Sequence, residues 1–82
     1  MKSWLKVRLD RGMFSDEVAI TYPATGKWQK SVFVPRHCVR GDESAGEVSV
    51  NAFEDTAGTR YAVLPSSEGG VVRVEAADLM PA

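Results

Sequence analysis

The sequence predicts an all-β fold, a small antiparallel barrel of five or six strands that ends in a one-turn 3-10 helix. Six short apolar runs alternate for the most part with polar residues, and turn-forming residues close each run. A period of two gives each run one buried face and one face in water. The 82 residues suffice for a single domain, residues 1–82, with a modest core. The runs are residues 5–9, 18–22, 31–34, 48–51, 61–64 and 71–74.

The first strand is amphipathic, and the loop after it is unusually apolar. Leu5, Val7 and Leu9 share one face of the strand, and the residues between them are charged. Segment 11–17 has the length of a long hairpin loop and contains Met13 and Phe14. A loop with two large apolar side chains usually folds back onto the barrel end. We therefore expect Met13 and Phe14 to make contacts from this loop and not to stand free in solvent.

Prolines and glycines mark where the later strands end. Pro23 follows the second run and Pro35 the third, and proline cannot donate a ladder hydrogen bond. Segment 36–39 is ambiguous and could be a bend across the barrel, whereas segments 41–46, 54–58 and 66–70 contain glycine and are typical of turns or loops. Residues 75–81 are too few for a stable α-helix but suit one 3-10 turn that buries Leu79.

The order of these elements resembles an SH3-like barrel, with a long first loop, shorter hairpins and a last strand joined to a one-turn helix. The resemblance spans most of the chain and concerns the fold alone, because many unrelated functions share that fold. The predicted core consists of Leu5, Val7, Leu9, Val18, Ile20, Val32, Val34, Val48, Val50, Tyr61, Val63, Val72, Val74 and Leu79.

Two segments resemble the closing strands of the plasmid-borne type II dihydrofolate reductases, which are stand-alone barrels of similar length. They are residues 61–63 and 72–79. That family lines a tetrameric pore with a Val-Gln-Ile-Tyr motif, and Arg73 and Glu75 stand where its glutamine and tyrosine would fall. We therefore assign none of that family's site residues to this chain. An enzyme with a site formed at an oligomer pore is the least favoured of three functional hypotheses, and the other two are given below.

Composition is typical of a cytoplasmic protein without a membrane partner. The single cysteine, Cys38, excludes an internal disulfide and fits a reducing compartment. No apolar stretch approaches the roughly 20 residues of a membrane helix, and the N-terminus lacks an apolar signal region. Net charge is +5 over residues 1–41, from eight Lys or Arg and three acids, and −6 over residues 42–82, from two Arg and eight acids. This asymmetry either steers binding or is cancelled when strands of the two halves interleave.

Few side chains have the spacing that catalysis or metal binding needs. His37 and Cys38 are adjacent, and adjacent side chains on an extended strand point to opposite faces, which disfavours a catalytic pair. One Cys and one His are too few for zinc within one chain. The acidic pairs at 16–17, 42–43 and 54–55 fall in predicted turns, where carboxylates usually stay solvated. We therefore favour a non-enzymatic protein and predict no catalytic residue, no metal and no cofactor.

Residues 27–40 are the main binding candidate because aromatic and basic residues interleave there. If Val32 and Val34 face the core, Phe33 faces outward and Lys30 lies at the barrel rim. Such a segment suits a protein interface, where Trp and Arg are enriched, or single-stranded nucleic acid, which needs cations and stacking. In the third interpretation its aromatics only close the barrel ends. The candidate binding residues are Lys27, Trp28, Lys30, Phe33, Arg36 and Arg40.

The preferred functional hypothesis is a binding module that acts by protein–protein contact, with a homo-oligomer as one form of that contact. Trp4, near the N-terminus, either plugs the bottom of the barrel or packs against a second subunit. The second hypothesis is a nucleic-acid-binding barrel that uses the basic and aromatic residues of segment 27–40.

Overall fold

A computed structural model describes residues 2–10, 16–23, 29–42, 45–66 and 70–81. It confirms an all-β, barrel-like fold, in which antiparallel strands form one curled and open sheet, a half-barrel. The strands are β1 (Lys2–Asp10), β2 (Glu17–Tyr22), β3 (Lys30–Pro35), β4 (Val39–Arg40), β5 (Gly46–Glu54), β6 (Arg60–Val63), β7 (Val71–Arg73) and β8 (Leu79–Pro81). Within these ranges no helix is long and apolar enough to cross a bilayer.

The long strand β1 organises the sheet. The strand order is β3-β2-β1-β5-β6-β7, with β4 paired to β5 and β8 paired to β1. Residues 2–7 of β1 pair with β5, residues 3–5 with β8, and residues 8–10 with β2. One strand therefore joins the chain's N-terminal hairpin, its middle and its last strand.

The core lies on the inner side of the curled sheet and contains most of the predicted residues. The confirmed members are Leu5, Val7, Leu9, Val18, Ile20, Val32, Val34, Val48, Val50 and Val74. Val72 and Leu79 are half-buried and pack against this core. Tyr22 and Leu64, which the sequence-based list omitted, are also buried.

The predicted orientation of β6 is wrong. Tyr61 is half-buried and Val63 is exposed, whereas Ala62 is fully buried. The register explains the difference, because Ala62 lies directly opposite Ala52, and both face the core. The next pair, Phe53 and Tyr61, faces outward, where the two large rings have room to stack.

Two 3-10 turns connect strands. The ambiguous segment 36–39 begins with a turn at Arg36–Cys38, which leads from β3 into β4. The predicted C-terminal turn is confirmed at Ala76–Asp78, and it leads into β8, so the chain returns to pair with β1 instead of ending there. The hairpin between β5 and β6 turns at Gly58, whose positive φ of 84° favours glycine.

Candidate functional site

The structure separates the residues that the sequence grouped as a binding segment. Lys30 and Phe33 lie on β3, Arg36 begins the first 3-10 turn, and Arg40 lies on β4. The remaining candidates lie outside the described residues; they are Met13, Phe14, Lys27 and Trp28.

On β3 the side chains point as the alternation predicts. Val32 and Val34 are buried, and Phe33 between them is 44% exposed. Lys30 is exposed at the first residue of β3, and its Nζ lies 3.5 Å from where a Cβ on Gly70 would stand. Lys30 therefore reaches along the barrel rim toward β7, which begins at Val71.

Arg40 belongs to a different local arrangement, centred on Trp4. The Arg40 guanidinium carbon lies 4.1 Å from the centroid of the Trp4 ring, a cation–π geometry. Arg40 Nε also donates a 2.8 Å hydrogen bond to Glu47 Oε1, its cross-strand neighbour. Trp4 is half-buried on the outer side of β1, so the first of its two alternatives, that it plugs the bottom of the barrel, is wrong. Successive side chains of a strand point to opposite faces, and Leu5 points into the core, so Trp4 points away from it.

The register of six strands brings distant residues onto one surface. Residues directly opposite each other on antiparallel strands point to the same side of the sheet. Met80 is opposite Trp4, and Trp4 is opposite Ser49. The surface, called the outer face below, consists of Lys2, Trp4, Lys6, Arg40, Glu47, Ser49, Asn51, Phe53, Tyr61, Val63, Val71, Arg73 and Met80.

Exposed apolar side chains concentrate on the outer face. Val71 is 54% exposed, Phe53 and Met80 are each 47% exposed, and Val63 is 38% exposed. In the described part of the chain, the only other exposed large hydrophobic residue is Phe33. Isolated exposed apolar residues are ordinary, but several on one face are typical of an interaction surface.

The aromatic residues of the outer face are already in contact with neighbours. Phe53 and Tyr61 stack with ring centroids 5.4 Å apart and planes inclined by 23°. Asp55 Oδ1 accepts hydrogen bonds from the backbone N–H groups of Ala57 and Thr59, each 2.9 Å long, which orders the adjacent hairpin turn. The stacked pair therefore lies on paired strands beside a hydrogen-bonded turn.

The outer face is positively charged although the chain has a net charge of −1. It carries four cations and one acid, Glu47, which is already paired with Arg40. Arg73 forms no ion pair with any residue in the described ranges. The cations are Lys2, Lys6, Arg40 and Arg73.

A groove of about 430 Å³ lies at the barrel end beside the outer face. Its two charged lining residues, Glu54 and Arg60, form a 3.0 Å ion pair with each other. Much of the remaining lining is apolar, so the groove suits an apolar side chain better than a polar substrate. The lining residues are Ser3, Ala52, Phe53, Glu54, Arg60, Ala76, Leu79, Met80 and Pro81.

The side chains that could carry chemistry have structural surroundings. Cys38 packs half-buried against the core and His37 is exposed. Both lie in the 3-10 turn Arg36–Cys38, so the alternation of an extended strand does not apply to this pair. Burial raises the pKa of Tyr22 to about 12; the hydrogen bond from the Glu75 amide opposes this rise, and Asp78 adds to it. Over the described ranges, no three His, Cys, Asp or Glu side chains converge on a metal position.

Sequence reasoning missed the outer face for a physical reason. Phe53 follows from the alternation of β5, because Val48 and Val50 point inward and odd-numbered residues therefore point outward. Val63 was assigned to the core, and Met80 belongs to a strand that was not foreseen. The face depends on the register of all six strands, and its Met80 side depends on the pairing of β8 with β1.

No family model, curated protein or solved structure matches this chain.

Proposed function

We propose that this chain is a non-enzymatic binding module that contacts a partner protein through its outer face. The observation that carries the proposal is the concentration of exposed Phe53, Val63, Val71 and Met80 on that one surface. A patch of this kind, bordered by polar side chains, loses unfavourable contact with water when a partner covers it. Its position on paired strands gives it a fixed shape before binding, which lowers the entropy cost of association.

The charge of the outer face favours an acidic partner. Four cations against one acid attract a partner that presents carboxylates around an apolar centre. Two copies of the chain that met face to face would bring their own cations together. Self-association through this face is therefore the less favoured form of protein contact.

The outer face suits protein better than single-stranded nucleic acid. Nucleic-acid binding of this type needs aromatic faces on which bases stack. Phe53 and Tyr61 each use one ring face on the other, and the guanidinium of Arg40 covers Trp4. The aliphatic side chains of Val63, Val71 and Met80 make up much of the remaining exposed surface and cannot stack with bases.

Two phenylalanines of nearly equal exposure provide a matched test. Phe53→Ser removes an aromatic side chain from the outer face, and Phe33→Ser removes one from β3. The wild type and each variant are immobilised, and the proteins that each of them retains are compared. The dissociation constant of each purified binder is then measured. We expect Phe53→Ser to weaken binding about tenfold or more and Phe33→Ser to leave it nearly unchanged, because few interface residues dominate affinity.

The reverse result would move the interface to the β3 segment that the sequence singled out. Equal binding by both variants and the wild type would overturn the proposal. Retention of single-stranded DNA with a steep decrease at higher salt, without a protein binder, would favour the nucleic-acid hypothesis instead.

A further inference from the structure

One end of the sheet, strand β7, has an unpaired edge in the described part of the chain. β7 (Val71–Arg73) pairs with β6 on one side and ends the strand order. An unpaired edge exposes backbone N–H and C=O groups that a further strand can use. Because two residues of β7 belong to the outer face, its edge is continuous with the proposed contact surface.

The hydrogen bonds to β6 show which backbone groups point away from the sheet. Leu64 N–H donates to Gly70 C=O at 2.9 Å, and Val74 N–H donates to Arg60 C=O at 3.0 Å. In an antiparallel pair, alternate residues direct their backbone groups to the same neighbour. The N–H and C=O groups of Val71 and Arg73 therefore point away from β6, to the side on which no described strand pairs with β7. The next amide on that side, that of Glu75, donates to the Tyr22 hydroxyl.

The side chains beside these groups differ in chemistry. Val71 has the largest exposed fraction of the exposed hydrophobic residues, and Arg73 has no described ion-pair partner. Between them, Val72 points inward and is half-buried against the core. An added strand would therefore place one residue beside each of Arg73, Val72 and Val71.

The opposite edge of the sheet, strand β3, is less suited to accept a strand. Arg36 N–H donates to Asp16 C=O at 2.9 Å, and β3 and β2 pair in register. By the same alternation, Ser31, Phe33 and Pro35 direct their backbone groups outward. Proline has no N–H to offer, and proline on an edge is a common protection against strand addition.

We propose that β7 binds an extended acidic segment of the partner protein as an additional antiparallel strand. This inference rests on the proposed function and specifies the partner's chemistry. The segment carries a carboxylate opposite Arg73, an apolar residue opposite Val72 and an apolar residue opposite Val71, so its central tripeptide reads Glu-Val-Val or a close analogue. Charge complementarity selects this occupant, because Arg73 is the cation that the outer face presents on β7 and it has no ion-pair partner among the described residues.

The probe is a short capped peptide with Glu-Val-Val between neutral polar residues, and the readouts are fluorescence anisotropy and amide hydrogen exchange. We expect peptide binding to slow exchange at the Val71 and Arg73 amides by about tenfold or more, because each gains an acceptor. N-methylation of the glutamate and of the second valine removes the two donors that face β7. We expect this peptide to bind at least about tenfold more weakly.

Val71→Pro removes the outward donor without removing a ladder bond to β6, and Val71→Ala is its matched control. We expect Val71→Pro to weaken peptide binding more than Val71→Ala does. Arg73→Glu should abolish binding of the Glu-Val-Val peptide and restore binding to a Lys-Val-Val peptide. The charge exchange and the N-methylated peptide test the proposal even when Val71→Pro fails to fold.

Three results would each overturn strand addition: no binding of the Glu-Val-Val peptide, unchanged binding after N-methylation, or unprotected amides at Val71 and Arg73. A partner lost by Phe53→Ser but retained by Val71→Pro would leave the outer face as the contact surface and reject the edge. Both amides could instead become protected without peptide as the protein concentration rises, while the mass in solution doubles. That result would show that the strand added to β7 comes from a second copy of this chain.

Discussion

The hydroxyl of Tyr22 donates a 2.8 Å hydrogen bond to Oδ2 of Asp78, which lies 56 residues further along the chain. The same hydroxyl accepts a 3.1 Å hydrogen bond from the backbone N–H of Glu75. Tyr22 ends β2, and Asp78 ends the second 3-10 turn. This contact therefore joins the first hairpin to the segment that leads into β8.

Tyr22→Phe tests the contribution of this junction to stability. The substitution removes both hydrogen bonds and leaves the Glu75 amide without this acceptor, so we expect a loss of about 1–3 kcal/mol in the free energy of unfolding. Urea denaturation measures it. Tyr61→Phe is the control, because the Tyr61 hydroxyl lies 3.4 Å from Asp55 in an exposed position. A change of more than about 0.5 kcal/mol in the control, or none in Tyr22→Phe, would contradict this expectation.

The same tyrosine predicts how stability depends on pH in alkaline solution. Burial raises the pKa of Tyr22 from 10.0 to about 12 in the folded protein. Below pH 10.0 both the folded and the unfolded tyrosine keep the proton, and the contribution of Tyr22 is complete. As pH rises from there to about 12, the unfolded chain loses the proton first, so stability decreases.

Urea midpoints compared at about pH 9 and about pH 11 check this direction. We expect the wild type to lose more stability than Tyr22→Phe over that interval, since the variant lacks the titrating hydroxyl. Other alkaline titrations are shared by both proteins and cancel in the comparison. Parallel loss in the two proteins would show that Tyr22 does not cause the dependence.

A close contact between Gly46 and Leu9 gives the next prediction. A Cβ on Gly46 would stand 2.2 Å from Leu9 Cγ, and Leu9 is buried. Gly46→Ala should therefore lower the free energy of unfolding by about 1–3 kcal/mol through overpacking. Gly70→Ala is the matched control, because its Cβ would meet Lys30 Nζ at an ordinary 3.5 Å, and we expect it to stay within about 0.5 kcal/mol.

A second substitution tests whether Leu9 is the cause. Leu9→Ala removes the atoms that an alanine at position 46 would meet, so the two changes should be less than additive. Thermal or urea unfolding of the single and double variants gives the coupling free energy. An additive double variant would show that the cost of Gly46→Ala arises elsewhere.

The alternation predicted the orientation of β1 because charged residues separate Leu5, Val7 and Leu9. In β5 the side chains also alternate between buried and more exposed positions as far as Phe53. The prediction fails in β6, where Tyr61, Ala62 and Val63 are all apolar and a shift by one residue leaves a similar pattern. There the larger side chains were assigned to the core, although the partner strand offers Ala52 and has room only for a small residue.

The candidate site was less predictable than the fold. Composition along the chain drew attention to segment 27–40, where basic and aromatic residues are neighbours in sequence. The outer face instead joins residues whose sequence separation exceeds seventy positions, as Trp4 and Met80 do. No local pattern indicates such a surface, because it depends on strand order and register.

The orientation of β6 can be tested with one pair of substitutions. Ala62 is fully buried opposite Ala52, so Ala62→Leu should cost about 1–3 kcal/mol of unfolding free energy by overpacking the core. Val63→Ala removes a larger apolar group, yet Val63 is 38% exposed, and we expect a cost of about 0.5 kcal/mol. Urea denaturation of both variants decides between the registers. In the register with Val63 inside, the order of the two costs reverses, because Val63→Ala would then leave a cavity and Ala62→Leu would place its side chain in solvent.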